Sequence, residues 1–420
     1  MAVATRAVAR GLHDRTLPVP GHVAAAAAVS VALLPVLVPT GPGNSSPVDV
    51  AIGLCIVVTL LWAARSRASL HLPYGLPMAT LIAAGAIAGL AGPFPGLSLL
   101  QLGQDVVLLA WCAALASVAR TPQAMSVIVR AWGLSAVVWA AVLVGAYVAG
   151  IDLLAGVTAR EGARASLLLG DPNLAATYFC VSILVLGASG VLASRLLRWP
   201  AYLLLVAALV LTGSNGGLIG LSAGLAVTLL VHVARRSGMV PAVAFTGAIL
   251  VAAVAIAATV PVDGVQRAAR DSGVPLLRDS IGRSDASVQQ RQTLIGESAG
   301  LLFQGGLLGW GPRSTKAVLT TQQAAYQKEA HDDYIAAVVE RGILGGVGLV
   351  MLICAIAFRV RAVLRSPPPP AFRRAVPHTA PLVGGVAAVA VLATNEQVLH
   401  FRHVWALLAI VAAYQLWVAE

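Results

Sequence analysis

Charge is scarce in this 420-residue sequence. Asp, Glu, Lys and Arg together make up 11% of it, against 58% apolar residues, and a mean hydropathy of +0.85 excludes an ordinary soluble domain. Cysteine is scarcer still. Cys55, Cys112, Cys180 and Cys354 lie far apart inside apolar runs, without CxxC or mixed Cys/His spacing, which argues against a disulfide framework or a zinc site. An internal repeat is also lacking. So are basic residues in several short connections: "TGPGNSSP", "GPFPGLS" and "GSNGG" contain none.

What fills the chain is a series of apolar runs, each near the ~20 residues that cross a bilayer. They fall at about 22–38, 47–64, 73–91, 99–118, 124–149, 172–192, 199–213, 216–233, 239–260, 334–358, 380–394 and 401–418. This predicts an all-α, polytopic transmembrane fold of about twelve spans, with a helical loop between spans 9 and 10. The organisation expected is helices 1–9 in residues 1–260, an extracytoplasmic loop over 261–333, and helices 10–12 in 334–420. The formal charge of +11 is a topology signal, because the basic residues gather on alternate loops. Arg6, Arg10 and Arg15 share one side with Arg65, Arg67, Arg120, Arg195, Arg198, Arg235, Arg236 and the group from Arg359 to Arg374. Both termini are therefore expected in the cytoplasm, with membrane lipids rather than nucleic acid as the surroundings. The N-terminal basic and apolar stretch reads as an uncleaved first helix, and "SPPPPAFRR" as a stiff linker.

Two connections are longer than a tight turn, 150–171 and 261–333, and long loops in compact proteins usually carry function or disorder. In the second, Ser284 or Asp285 is placed to cap a helix with Val288, Ile295, Ala299 and Leu302 on its inward stripe. Arg291 shares that stripe. A guanidinium fork facing a membrane-surface cavity suits phosphate oxygens, a reading preferred here over snorkelling to lipid headgroups. A second helix is expected from Ser314 to Glu329. In the first connection, Arg160 and Arg164 are four apart and would share a helix face, as a second phosphate contact or as a surface pair neutralised by Glu161.

The stretch "AHDDYIAAVVERGILGGVGLV" places His331, Asp332 and Asp333 at the head of the tenth span. Histidine is the natural proton acceptor near neutral pH; the plainer reading is a residue marking the interface or capping the helix. Tyr334, Val338, Gly342 and Gly345 follow on its helical face, which either packs closely or leaves room for a lipid chain. Glu340 and Arg341 lie ~14–15 Å along the helix. Charges at that depth turn inward toward partners, and sequence neighbours do not face each other, so each is read as a structural contact with a partner of its own.

"HDDYIAAVVERGILGG" resembles the histidine motif of the O-antigen ligase and O-antigen polymerase superfamily. "GDPNLAATYF" is similar to the family's Pro-Asn segment, "LTGSNGGLIGL" to its small-residue turn, and "RQTLIGESAGLLFQGGLLGWGP" to its arginine-led loop helix. The resemblance extends over about 160–360. It implies a glycosyltransferase of the bacterial inner membrane that needs no metal and no cofactor. Its partners would be a lipid-linked oligosaccharide donor on polyprenyl pyrophosphate and a glycan or glycolipid acceptor. The resemblance implies His331 as the residue that activates or positions the acceptor hydroxyl, Arg291 as the binder of the departing pyrophosphate, and Tyr334 as a neighbouring hydrogen-bonding group. Two positions depart from the family pattern: Asp332 stands where Asn is common, and Asn215 where Arg often follows the serine. Asp332 would then tune the histidine or meet a different acceptor; at Asn215 either Arg160 or Arg164 replaces the missing cation, or the donor differs, or ordinary ligase activity has been lost. Ligase and polymerase activity are both compatible with the motifs. A secondary transporter, the rival from another class, would show polar midplane groups and related halves; beyond Glu340 and Arg341 the sequence shows neither.

Overall fold

The computed structural model describes residues 18–41, 45–192, 194–259, 262–324, 327–365 and 370–419. Among these residues the fold is all-helical, apart from one isolated bridge between Thr158 and Gly162. Arg6, Arg10, Arg15 and most of the proline run lie outside the described residues.

A helix coincides with each apolar segment. In order these are α1 (Gly21–Ala32), α2 (Pro47–Ser66), α3 (Gly75–Ala91), α4 (Pro95–Val118), α5 (Pro122–Val148) and, after the one-turn α6 (Asp152–Ala155), α7 (Pro172–Ala188), α8 (Arg195–Leu211), α9 (Asn215–Ser237) and α10 (Met239–Thr259). The following stretch folds into α11 (Val262–Asp271), α12 (Pro275–Asp279), α13 (Ser284–Gln304) and α14 (Thr315–Thr321). After it come α15 (Asp333–Arg365), α16 (Ala380–Leu392) and α17 (Arg402–Ala419). By length and composition α2, α4, α5, α9 and α15 each suffice to cross a membrane, and α1, α3, α7 and α16 are shorter apolar helices beside them.

Local chemistry sets the helix starts. Proline in the first turn loses no hydrogen bond and a short polar residue before it satisfies free N–H groups. So Asp171 precedes Pro172 and its Oδ1 accepts the N–H groups of Asn173 and Leu174 at 2.7 and 3.1 Å. Ser214 does the same for α9, with Oγ accepting Gly217 N–H at 3.3 Å. Two helices form the centre. Residues 175–186 of α7 and 403–415 of α17 are buried without interruption, as an all-round apolar helix must be in a bundle interior. α5, α8, α9 and α16 pack on α7, α4, α15 and α16 pack on α17, and the two central helices also meet directly. Polar side chains tie neighbours across the hydrocarbon, where an unpaired N–H is expensive: Trp111 donates to Ser30 Oγ at 3.1 Å and Trp132 to Ser182 Oγ at 2.9 Å. The outward faces carry Leu90, Val148 and Leu196 at 85%, 81% and 85% exposure, a belt suited to lipid and not to water.

One helix is broken. Gly342 has φ 63° and ψ −163°, which interrupts α15 nine residues after its start, and the turn over 305–312 is hydrogen-bonded into the gap. Trp310 and Gly311 donate to the carbonyls of Val339 and Glu340 at 3.0 and 2.9 Å, and Ile343 donates to Leu307 at 3.0 Å. A Cβ at Gly342 would stand 2.1 Å from the Leu307 carbonyl oxygen. Across the turn, α3 supplies a glycine face: a Cβ at Gly92 would stand 2.4 Å from the Trp310 carbonyl oxygen, and Ser98 of α4 donates to Pro312 at 3.3 Å. Gly342→Ala is therefore expected to lose ~1–3 kcal/mol from the left-handed backbone alone, with the clash in addition. Thermal unfolding of the purified variant measures this, and a melting temperature equal to that of the unsubstituted protein would contradict it.

The loops depart from the sequence reading in four respects. Arg160 and Arg164 share no helix, because Gly162, at φ 66°, turns the chain back on Thr158. The inward stripe of α13 runs through Leu294, Ser298 and Leu301 while Ile295 is 38% exposed, since Leu294 and Leu301 pack with Val318, Leu319 and Val339. α14 ends at Thr321 instead of Glu329, at a turn where Gln323 takes a left-handed φ of 53°. α11 and α12 were not anticipated; α11 buries Gln266 and Ala269 on one side.

Candidate active site

A cavity of about 290 Å³ opens beside the start of α15. His331, Glu340 and Arg341 line it, together with Asp105 from α4, Arg313 from the turn before α14, and Glu396 and His400 from the link between α16 and α17. Its polar edge is built by Asp333. This carboxylate accepts the N–H groups of Val398 and Leu399 at 2.8 and 3.1 Å, and its own N–H donates to Ala393 O at 3.0 Å. The head of α15 is thus stapled to the link at residues 393–399, which brings Glu396 to His331: Nδ1 and Oε2 are 3.2 Å apart. His331 itself has φ 49°, a left-handed backbone uncommon for a residue other than glycine and frequent at functional positions. Its side chain is 34% exposed and that of Glu396 12%. A carboxylate on Nδ1 fixes the ring orientation and leaves Nε2 for the cavity.

The neighbours of His331 are engaged elsewhere. Asp332 caps α15, its Oδ1 accepting Ile335 N–H at 2.9 Å, and burial pushes its carboxyl above the ordinary range; the carboxylate paired with His331 is Glu396, not Asp332. Tyr334 Oη donates to Ala390 O at 3.0 Å. Gly345 lies where a Cβ would be 2.3 Å from the Ala337 carbonyl oxygen, so the glycine face is taken up by backbone packing across the break.

Glu340 and Arg341 turn to different partners. Glu340 accepts Arg313 N–H on Oε2 at 2.9 Å and the Thr315 hydroxyl on Oε1 at 2.7 Å. Arg341 pairs with Asp105, Nη2 to Oδ2 at 2.7 Å, and donates to Leu81 O at 3.0 Å. Gln101 steadies the other Asp105 oxygen at 2.9 Å.

Arg164, Arg160 and Asn215 do not line this cavity. Arg164 is 5% exposed and ties three segments together, donating to Thr212 O at 2.9 Å, Asn173 Oδ1 at 2.8 Å and Glu161 Oε2 at 3.1 Å. Arg160 is exposed, 3.7 Å from Glu161. Asn215 is the exposed first residue of α9. Arg291 belongs to α13, but its side chain lies outside the described residues. Sequence reasoning missed Glu396, Arg313 and Asp105. A signal was present for Asp105, a carboxylate within an apolar run, whereas Glu396 sits in the unremarked polar link "TNEQ".

Residues 200–350 match the family described as O-Antigen ligase. No curated protein matches the chain. The matched stretch contains the break at Gly342, the inserted turn before it, and His331, Glu340 and Arg341 of the cavity. That match and the apolar helices indicate a multi-pass bacterial inner-membrane protein that carries, over residues 200–350, a domain similar to the O-antigen ligases, a family of membrane glycosyltransferases.

Proposed function

We propose that the chain transfers a glycan from a polyprenyl-pyrophosphate donor to an acceptor hydroxyl at the extracytoplasmic face of a twelve-span bundle, both termini lying in the cytoplasm. Nε2 of His331 takes the acceptor O–H proton as the oxygen attacks the anomeric carbon. The bond from that carbon to the phosphate oxygen breaks, and polyprenyl pyrophosphate leaves with the electron pair. Neither oxidant nor metal is required by this balance, and Arg291 on α13 is assigned to the growing negative charge. The observation that carries the reading is the His331–Glu396 contact on the cavity wall: a base within hydrogen-bond reach of a group that orients it.

Ligase action moves one completed glycan to a different acceptor, and the polymerase alternative extends a glycan with its own repeat. Incubating the purified protein with a labelled polyprenyl-pyrophosphate oligosaccharide and candidate acceptors separates them: a single mass increment on the acceptor is the ligase result, and a ladder on the donor glycan is the polymerase result. Uptake of intact donor into vesicles without any new glycosidic bond would instead establish the transporter. Glu396→Gln keeps shape and removes the charge. Its kcat is expected to fall by about 10–100-fold with the donor KM unchanged, the range for losing a group that orients a histidine; a parallel rise in KM would place Glu396 on substrate instead.

A further inference from the structure

We propose that Arg313 grips the pyrophosphate group of the donor in this cavity. The inference rests on the glycosyl-transfer reading above and assigns one more residue to it. The cavity contains several charged groups, and most are already matched. Asp105 is paired with Arg341, Asp171 caps α7, Asp333 accepts two backbone N–H groups, Glu340 holds Arg313 N–H and Thr315, and Glu396 meets His331. Arg341 is spent on Asp105 and Leu81.

Arg313 differs from these matched groups, as does Glu329, a carboxylate that lines the same cavity. The backbone of Arg313 is fixed, with φ 61° and its N–H held by the buried Glu340 carboxylate, yet its guanidinium makes no hydrogen bond or ion pair among the described residues while lining the cavity. A pre-placed fork with unused donors is the arrangement that planar, doubly bonded recognition of phosphate requires. Arg313, His331 and His400 all line this one cavity, so the cation and the base serve the same small space. Glu340, read from the sequence only as a structural contact, then has a positioning task as well: it sets where Arg313 stands.

The test uses the full chain in detergent with three probes, undecaprenyl pyrophosphate, inorganic pyrophosphate and phosphatidylglycerol. Binding is measured for the unsubstituted protein, Arg313→Gln and Arg313→Lys, and the donor KM in the transfer assay. Arg313→Gln is expected to weaken undecaprenyl pyrophosphate binding and raise the donor KM by about 10–100-fold, the loss of a charge-assisted contact. Arg313→Lys is expected to recover part of that, as a point charge without the fork. Both variants leave the Glu340 contact to the backbone N–H intact, and an unchanged melting temperature verifies this. Equal binding and equal KM in folded Arg313→Gln, or equal displacement of the probe by phosphatidylglycerol, would overturn the assignment. Arg313-dependent binding by a protein that never transfers glycan would support the pyrophosphate site while sinking the transferase reading.

Discussion

Purified His331→Ala is expected to fold, to keep binding the lipid-linked donor, and to lose glycan transfer by about 10²–10⁴-fold. That is ~3–5 kcal/mol of transition-state stabilisation. Proton removal accounts for the size. An acceptor alcohol holds its proton firmly at neutral pH, so attack on the anomeric carbon stalls unless a base stands within hydrogen-bond reach. The structure supports folding of the variant, because the head of α15 is secured by Asp332 and Asp333 through residues 335, 398 and 399 and not by the imidazole. The cost to stability is confined to the lost Glu396 contact, because the histidine already bears the left-handed backbone that alanine would inherit. Steady-state kinetics with a melting curve check this, and a folded variant with transfer within a few-fold of the unsubstituted protein would refute the assignment of the base.

Arg341→Ala is expected to be the most damaging single change to the fold, at ~3–5 kcal/mol. Its side chain is 13% exposed and that of Asp105 8%, deep between α3, α4 and α15. Truncating the arginine leaves a buried carboxylate with Gln101 as its remaining hydrogen-bond partner among the described residues and removes the second donor to the Leu81 carbonyl. The asymmetry between breaking and replacing a buried pair makes the origin testable. The double substitution Arg341→Met with Asp105→Leu removes both charges at similar volume and is expected to recover most of the loss. Thermal unfolding in detergent and the monodisperse fraction after purification report the effect. If the double variant were as unstable as the single one, packing rather than the stranded charge would be responsible.

The helices were legible because a bilayer leaves little choice: a run near ~20 apolar residues must form its own hydrogen bonds, and helix is the way to do so. Pro172 after Asp171 and Ser214 before α9 marked starts for equally local reasons. Of the candidate site, only the local half was legible. His331 declared itself by residue type and by standing at the head of an apolar run, but its partner Glu396 is 65 residues away and arrives through the backbone staple made by Asp333. The same holds for Arg313, whose place depends on the break at Gly342. Glycines at 342 and 345 read as close packing or as a lipid slot, and the break at Gly342, filled by the Leu307 and Trp310 contacts, was not among those readings. Arg164 misled for the opposite reason, since its four-residue spacing from Arg160 suggested a helix face that Gly162 prevents.

The central claim is that this cavity performs glycosyl transfer with His331 as its base. The most direct measurement mixes the purified protein with a polyprenyl-pyrophosphate glycan and an acceptor and follows free polyprenyl pyrophosphate and new glycosidic product together. The account predicts equimolar appearance of both with the unsubstituted protein, and of neither above background with His331→Ala. Product formation that persists at full rate in the folded His331→Ala protein, or lipid pyrophosphate released without any glycan joined to the acceptor, would contradict it.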